Sequence, residues 1–514
     1  MPPILSRRCA TALLVGASFG AVIPSRQGAF AQIGSLKRPA PQHRPLVITQ
    51  VSVLPMTVNG QVRRNATVVV EHGRISSLDG PGPRGALRIN GRGKWLMPGL
   101  CDLHVHLPSD EQLPRDPRYP YEGLTEFFNT QDMMTPFVAN GVTQILDMSA
   151  FGSSFGQRIA IERGEVIGPH LALAAVVHGG RPDGRVADTV SDGRQAVRDA
   201  KAEGYDFIKT YSGLKVEVFH AVIDEANKRG MKVLGHIPDA FEGRLAEAFV
   251  PGFSMIAHAE ELAKHSENFS DDDAQRFARL AKSNDTWLSP TLTVWQWITA
   301  QTRSLDVIGS SPNLKYVHPL IRGRWLEDNG YNNPASPPSA RRIAVFERMK
   351  VFNNKLVAAF KAEGVPLVAG TDTLTSGVVA GFSLHDELEL LAAAGLSAEE
   401  VLASATRLPA VWLGVDTDRG TIEPGKRADL LLLDENPLVS VANTRKIAGV
   451  VTNGHWSSRS TLDTTMADLA RRNTASAAQF DWRRVQRQLS VLSSIWRYQC
   501  LTRRLLLHGP LSYL

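Results

Sequence analysis

The sequence predicts an α/β protein: a TIM-type (β/α)8 barrel carrying a small β-sandwich domain built from both chain ends. Three observations predict it. Eight short apolar runs alternate with helix-like charged segments, as a parallel sheet with crossover helices requires. Histidine, lysine and aspartate recur at the ends of those runs. Short alternating strands before the first run are answered, after the last, by a Gly-punctuated β-rich return. At 514 residues with 43% hydrophobic content, the chain can bury a large core and is longer than one compact domain usually needs.

Taken in chain order, Arg7 and Arg8 precede an apolar stretch over residues 9–23, and Ala29-Phe30-Ala31 fits an A-x-A cleavage site. Residues 1–31 therefore read as an export signal, which places the mature protein in the periplasm or outside the cell. The apolar run is too short for a stable membrane span. Ser6-Arg7-Arg8 hints at twin-arginine export without the apolar pattern that normally follows it, so both export routes stay open. A Pro-rich linker (32–45) leads to strands at 47–54, 66–71 and 74–78, which form the N-terminal part of the sandwich (46–97).

The barrel is assigned to residues 98–419. Its eight runs are 100–106, 142–148, 170–178, 206–211, 232–236, 254–258, 287–292 and 366–371. Eight strands in βα order argue for closure. The intervening segments have helical periodicity and end on glycine: 192–203 before Gly204, 216–229 before Gly230 and 343–363 before Gly364. Residues 302–339, rich in Pro, Gly, Trp and Asn, fall between strands seven and eight, on the side where barrel loops form sites. They are expected to make a lid or a substrate wall. Helices at 384–394 and 398–405 follow. Gly420-Thr421-Ile422-Glu423-Pro424-Gly425 then turns into a strand at 428–433 that opens the C-terminal part of the sandwich (420–457). In the extension 458–514, residues 463–492 have helical character and 496–514 show no pattern. An oligomer contact, a disordered tail and an irregular end of the reading frame stay open for it.

Charge and cysteine content exclude some classes. The net +6 comes from the ends, since residues 1–31 hold three arginines and no acid, and 459–514 hold nine arginines against three aspartates. The central chain is near −3, which gives little support for a nucleic-acid partner. Cys9, Cys101 and Cys500 are too scattered for a disulfide framework or a thiolate zinc site.

The chemistry-bearing residues fall at strand ends: His104 and His106 on strand one, Lys209 on strand four, His236 on five, His258 on six and Asp372 after eight. Side chains two apart on a strand share a face, so both histidines of His104-Val105-His106 can reach one ion. Imidazole and carboxylate suit zinc, which can lower the pKa of bound water to about 7. Each residue alone has a plainer explanation, such as a satisfied polar group or a helix cap. Six at matching ends of one barrel point to a metal-dependent hydrolytic site.

With these residues in place, the chain resembles the amidohydrolase superfamily over residues 47–456. The matching motifs are Met97-Pro98-Gly99-Leu100-Cys101-Asp102-Leu103-His104-Val105-His106, Phe207-Ile208-Lys209-Thr210-Tyr211, Gly235-His236, Ala257-His258-Ala259-Glu260-Glu261, Gly370-Thr371-Asp372, and 420–430. Within the superfamily it is similar to the imidazolonepropionase-related group that includes Xaa-Pro dipeptidase-like enzymes. The resemblance implies two divalent metal ions, zinc by expectation. His104, His106 and Asp372 would hold the more buried one, His236 and His258 the other, and an N6-carboxylated Lys209 would bridge them. An unmodified lysine offers only donors and cannot ligate. The implied reaction is attack of a metal-bridging hydroxide on the amide bond of a dipeptide or N-acyl amino acid, with Asp372 as base and then acid. Tyr211 is either the oxyanion donor or a core tyrosine.

The substrate-binding candidates are Tyr211, His178 and Arg181. The loop from His178 to Gly184 carries either a carboxylate clamp at Arg181 or a plain surface arginine. Trp287, Trp295 and Trp297 either line a pocket or pack against the barrel wall. The alternative enzyme reading is a cyclic amide hydrolase or deaminase, whose mononuclear superfamily members lack the strand-four lysine. A catalytically silent scaffold is the third.

Overall fold

The computed structural model describes residues 44–109, 128–180, 184–333, 336–480 and 482. The predicted export signal, linker residues 32–43, Arg181 and the tail beyond 482 lie outside these. Strands β1 (Leu46–Val53), β2 (Arg63–Glu71), β3 (Arg74–Ser77), β4 (Leu87–Asn90) and β5 (Trp95–Pro98) come first. Next are β6 (Leu100–Val105), β7 (Val142–Asp147), β8 (His170–His178), the short β9 (Arg185–Val186), β10 (Phe207–Thr210), β11 (Lys232–Gly235), β12 (Phe253–Ala257) and β13 (Trp287–Ser289). The last are β14 (Leu430–Leu433), β15 (Ile447–Thr452) and β16 (His455–Ser458).

The two chain ends meet in one sheet, in the order β16-β15-β14-β5-β1-β2-β3 with β4 on β1. The join is the antiparallel pairing of β14 with β5, where Leu431 faces Met97. Four consecutive leucines form β14 because both of its faces are buried. Leu430 and Leu432 pack with Leu46, Ile48, Val51 and Val68 in the core of this sheet. Leu431 and Leu433, on the other face, pack into the large core between barrel and helices. That alternation is the period-two geometry of a strand. Each buried leucine contributes about 2 kcal/mol, so β14 ties the small sheet to the barrel.

The second sheet runs β6-β7-β8-β10-β11-β12-β13, with parallel pairing throughout, and forms the barrel. Leu103, Leu146, Ala174, Leu234, Met255 and Val368 fill its centre. Trp412 closes the end at which the strands begin, stacked on Phe207 at 4.9 Å. The strand predicted at 366–371 is not a regular ladder. It is an extended segment that still closes the barrel: Val368 N–H donates to Leu288 O (3.0 Å), and Leu103 N–H to Ala369 O (3.0 Å). Two close approaches to neighbouring strands mark this segment. The Asp102 carboxylate accepts the Thr371 N–H at 3.0 Å. At Gly370, an added Cβ would lie 2.5 Å from Ser289 Oγ and 2.7 Å from His104 Cβ.

The predicted helices appear with physical start signals. Thr189 and Asp192 form a capping box ahead of Val190–Glu203, which ends on Gly204 in the left-handed region (φ 92°). Ser339 caps Ala340–Ala362, and Ser397 with Glu400 boxes Ala398–Ser404. The 302–339 connection contains the helices Asp306–Gly309 and Pro319–Glu327, and Trp325 Nε1 donates to Leu374 O at 3.2 Å, two residues beyond Asp372. The start of the C-terminal extension is a helix, Arg459–Ser476, that buries Leu462, Met466 and Leu469. Its Arg472 grips Asp132 through two hydrogen bonds of 2.6 and 3.2 Å. Among the described residues, no helix is long and apolar enough to cross a membrane.

His170, at the start of β8, sits 3.0 Å from Asp429, just before β14. Burial raises the Asp429 carboxyl, but the His170 ring and the Asn453 N–H outweigh it and hold the carboxyl below its ordinary value. A carboxyl depressed by folding contributes stability above its unfolded pKa, near 4, and loses it as pH falls through the folded value. Asp429→Asn should therefore lose less stability than wild type as pH falls below about 4, measured by urea titration at stepped pH. Parallel curves for the two proteins would refute this role.

Candidate metal centre

The barrel brings His104, His106, Lys209, His236, His258 and Asp372 to one end, where the strands finish. His104 Nε2 lies 3.3 Å from Lys209 Nζ and 3.4 Å from Asp372 Oδ1. His106 Nε2 lies 3.0 Å from the same carboxylate oxygen. The His104 and His258 rings are 4.4 Å apart, and those of His258 and His236 are 5.0 Å apart. His104, His258 and Asp372 offer ligand atoms all within 4.8 Å of one another. The tightest trio thus draws on strands one and six and the segment after strand eight.

A second layer of side chains fixes the rings. His106 Nδ1 is 2.7 Å from Ser149 Oγ, His236 Nδ1 is 2.8 Å from Glu261 Oε1, and His258 Nδ1 is 2.8 Å from Thr291 Oγ1. In each case Nε2 remains as the second ring nitrogen, the pattern expected where partners orient imidazole ligands. Glu261 also accepts the Ile237 N–H (3.1 Å) and the Lys264 ammonium (2.5 Å). Asp102 accepts the His104 N–H, the Thr371 N–H and the Thr371 hydroxyl, linking strand one to the segment that carries Asp372. The backbone is strained here: His258 (φ 85°), Asp372 (φ 62°) and Thr291 (φ 49°) are all left-handed. Such conformations cost about 1–2 kcal/mol each, and they cluster at functional sites because surrounding contacts enforce them.

The electrostatics favour cation ligands. Burial pushes His104 and His236 below the ordinary imidazole value and His258 down to about 3, so each keeps a lone pair. Burial alone would raise Asp372, yet its hydrogen bond with His106 and the Lys209 charge hold it ionised. Lys209 is 1% exposed, and burial lowers its ammonium to about 8. Among the described residues, buried His104 Nδ1 has no hydrogen-bond partner. Neutral imidazoles, an ionised carboxylate and an unengaged buried ring nitrogen suit a divalent metal ion.

Two of the three substrate-binding candidates come to the same end. Tyr211 stacks on His178 at 4.7 Å and approaches His236 at 4.3 Å between ring centroids. The tryptophans serve in packing: Trp295 is buried against Phe346 at 5.4 Å, and Trp287 lies beside the Trp412 cluster. Sequence reasoning gave no role to Ser149, Glu261, Thr291 or Asp102. Asp102 and Glu261 stand inside the motifs quoted above, two residues before His104 and three after His258. Nothing local announces Ser149 or Thr291.

Residues 95–457 match the profile of the Amidohydrolase family. The chain belongs to this family. Among curated relatives it is similar to the imidazolonepropionase of Cupriavidus necator, 29% identical over 153 residues, or 24% of this chain and 37% of the relative. The chain thus spans little more than a third of that relative. The imidazolonepropionase of Thermoplasma volcanium is 21% identical over 396 residues, 72% of this chain and 84% of the relative. Among solved structures, a Xaa-Pro dipeptidase with bound methionine in the active site shares the fold at TM-score 0.60 and 20% identity, covering 80% of this chain and 100% of its own. Bottromycin amidohydrolase does so at TM-score 0.63 and 21% identity, covering 84% and 91%. Members of this family as a rule use divalent metals, and His104, His258 and Asp372 are grouped closely enough to hold one.

Proposed function

We propose that this amidohydrolase cleaves the amide bond of a dipeptide or an N-acyl amino acid, using two divalent metal ions, preferably zinc. His104, His106 and Asp372 would hold one, His236 and His258 the other, and Lys209, carboxylated on Nζ, both. Bound there, the metals would polarise the carbonyl and acidify water. The observation that carries the two-metal reading is Lys209 itself, buried with Nζ 3.3 Å from His104 Nε2. With its ammonium lowered to about 8, a useful fraction is neutral amine near pH 7.5. The amine lone pair adds to the carbon of carbon dioxide, an N–C bond forms, a proton leaves nitrogen, and an anionic carbamate with two oxygens results.

The protein's own groups supply the rest. Asp372, ionised, accepts the proton of the attacking water and hands it to the leaving nitrogen. The Tyr211 hydroxyl donates to the carbonyl oxygen as charge develops there, with its ring held between His178 and His236. Arg181 takes the substrate carboxylate. Residues 1–31 complete the proposal as an export signal to the periplasm or beyond.

A second reading, ring opening of a cyclic amide or deamination, is favoured by the relatives' names. They include a 5-methylthioadenosine/S-adenosylhomocysteine deaminase of Symbiobacterium thermophilum, 45% identical over 65 residues, 12% of this chain and 15% of the relative. Lys209 separates the two. Wild type grown with labelled bicarbonate should show a carbamate carbon resonance and about two metals per chain. Lys209→Ala should lose the resonance and at least about tenfold in metal affinity. N-acyl amino acids and dipeptides should be hydrolysed, and cyclic amides and amines should not. One metal per chain with full activity in Lys209→Ala would overturn the two-metal mechanism.

A further inference from the structure

Glu387 belongs to the helix Phe382–Ala393 and is 0% exposed. Among the described residues it forms no ion pair. Its Oε2 accepts the Thr293 N–H at 2.7 Å, and the carboxyl also faces the Leu292 N–H. Burying a carboxyl away from water costs free energy that an apolar side chain of the same shape would avoid.

What Glu387 touches supplies an account. Thr293 is the second residue of the helix Leu292–Arg303, whose N-cap, Thr291, makes no side-chain cap. A threonine caps the N–H of the second or third helical residue from an extended backbone, and Thr291, left-handed at φ 49°, does not. Here its hydroxyl lies 2.8 Å from His258 Nδ1 instead. The orphaned amide at the helix start is taken from outside, by a carboxyl 94 residues further along the chain. The same turn also holds the backbone of His258: its N–H donates to Ser289 O at 2.8 Å, and the Ala259 N–H to Pro290 O at 3.1 Å.

We propose that Glu387 is a positioning residue: by capping the helix Leu292–Arg303 from a neighbouring helix, it supplies the acceptor that left-handed Thr291 does not, and so holds the turn from which the Thr291 hydroxyl fixes the ring of His258. The part of this concerning metal rests on the reading of His258 as a ligand, and the part concerning geometry does not. Burial pushes the Glu387 carboxyl up to about 8, so an uncharged glutamine, which keeps an acceptor oxygen, is a close substitute. Methionine keeps the volume and removes both oxygens.

The test uses full-length protein freed of metal with a chelator, then titrated with zinc alone. In the metal-free state, Glu387→Met should speed hydrogen exchange at the amides of Thr293, His258 and Ala259 by about tenfold or more, and Glu387→Gln should stay within about twofold of wild type. Thr291→Val should loosen His258 and Ala259 while Thr293 stays protected. Zinc affinity should fall about tenfold in Glu387→Met, with no further loss when Thr291→Val is added. The proposal is overturned if Glu387→Met loosens Thr293 alone, if the glutamine variant behaves like methionine, or if the two affinity losses multiply. Should wild type bind no zinc, the metal reading fails, and the exchange pattern still decides the role of Glu387.

Discussion

Replacing Asp372 with asparagine should lower kcat on N-acyl amino acid or dipeptide substrates by about a thousandfold, within the range for loss of a general base, while the protein stays folded. Asparagine removes the charge and the proton-accepting oxygen but keeps the size. It also tolerates the left-handed backbone that Asp372 adopts at φ 62°, and its carbonyl can still accept from Thr375 Oγ1, now 2.9 Å from Oδ2. Asp372→Ala would confound the measurement, because alanine at that φ adds about 1–2 kcal/mol of strain. Steady-state kinetics with a parallel thermal melt checks the prediction. A loss below about tenfold in kcat would remove Asp372 from proton transfer.

Gly235→Ala should cost about 4 kcal/mol of folding stability, from left-handed strain and overpacking of roughly 2 kcal/mol each. Gly235 ends β11 at φ 129° and pairs with Thr210 of β10. A Cβ there would lie 2.4 Å from Thr210 O, 2.9 Å from Thr210 N and 3.0 Å from Lys209 Cγ. The first two are backbone atoms of the neighbouring strand and cannot rotate away. The strand ends carrying Lys209 and His236 would have to separate. Urea unfolding monitored by circular dichroism measures the cost, and a loss under about 1 kcal/mol would mean that the two strands part easily.

Much of this architecture is legible along the chain. The residues leading into His104 and His106 form an apolar strand, and Gly204 ends a helix whose capping box is written in Thr189 and Asp192. Six polar residues at the ends of apolar runs stand out because parallel strands bring their C-terminal ends to one face. The pairing of Leu431 with Met97 was legible only as the likeness of two β-rich ends. The eighth strand was legible as an apolar run, but not as an irregular one, because its contacts come from far along the chain: the Asp102 carboxylate reaches Thr371 across 269 residues.

Periodicity and composition are local properties, so the barrel order, the strand ends and the six residues that stand there can be read along the chain. Ring orientation, burial and strain are set by contacts between distant segments, and only the tertiary structure decided them. Glu261 meets His236 from the next βα unit, Thr291 meets His258 from the strand beyond, and Glu387 reaches Thr293 from a helix near the barrel's end. His258 and Asp372 adopt left-handed turns at the ends of barrel segments. No pattern of neighbours in sequence encodes such a turn, because its cost is met by packing elsewhere in the fold.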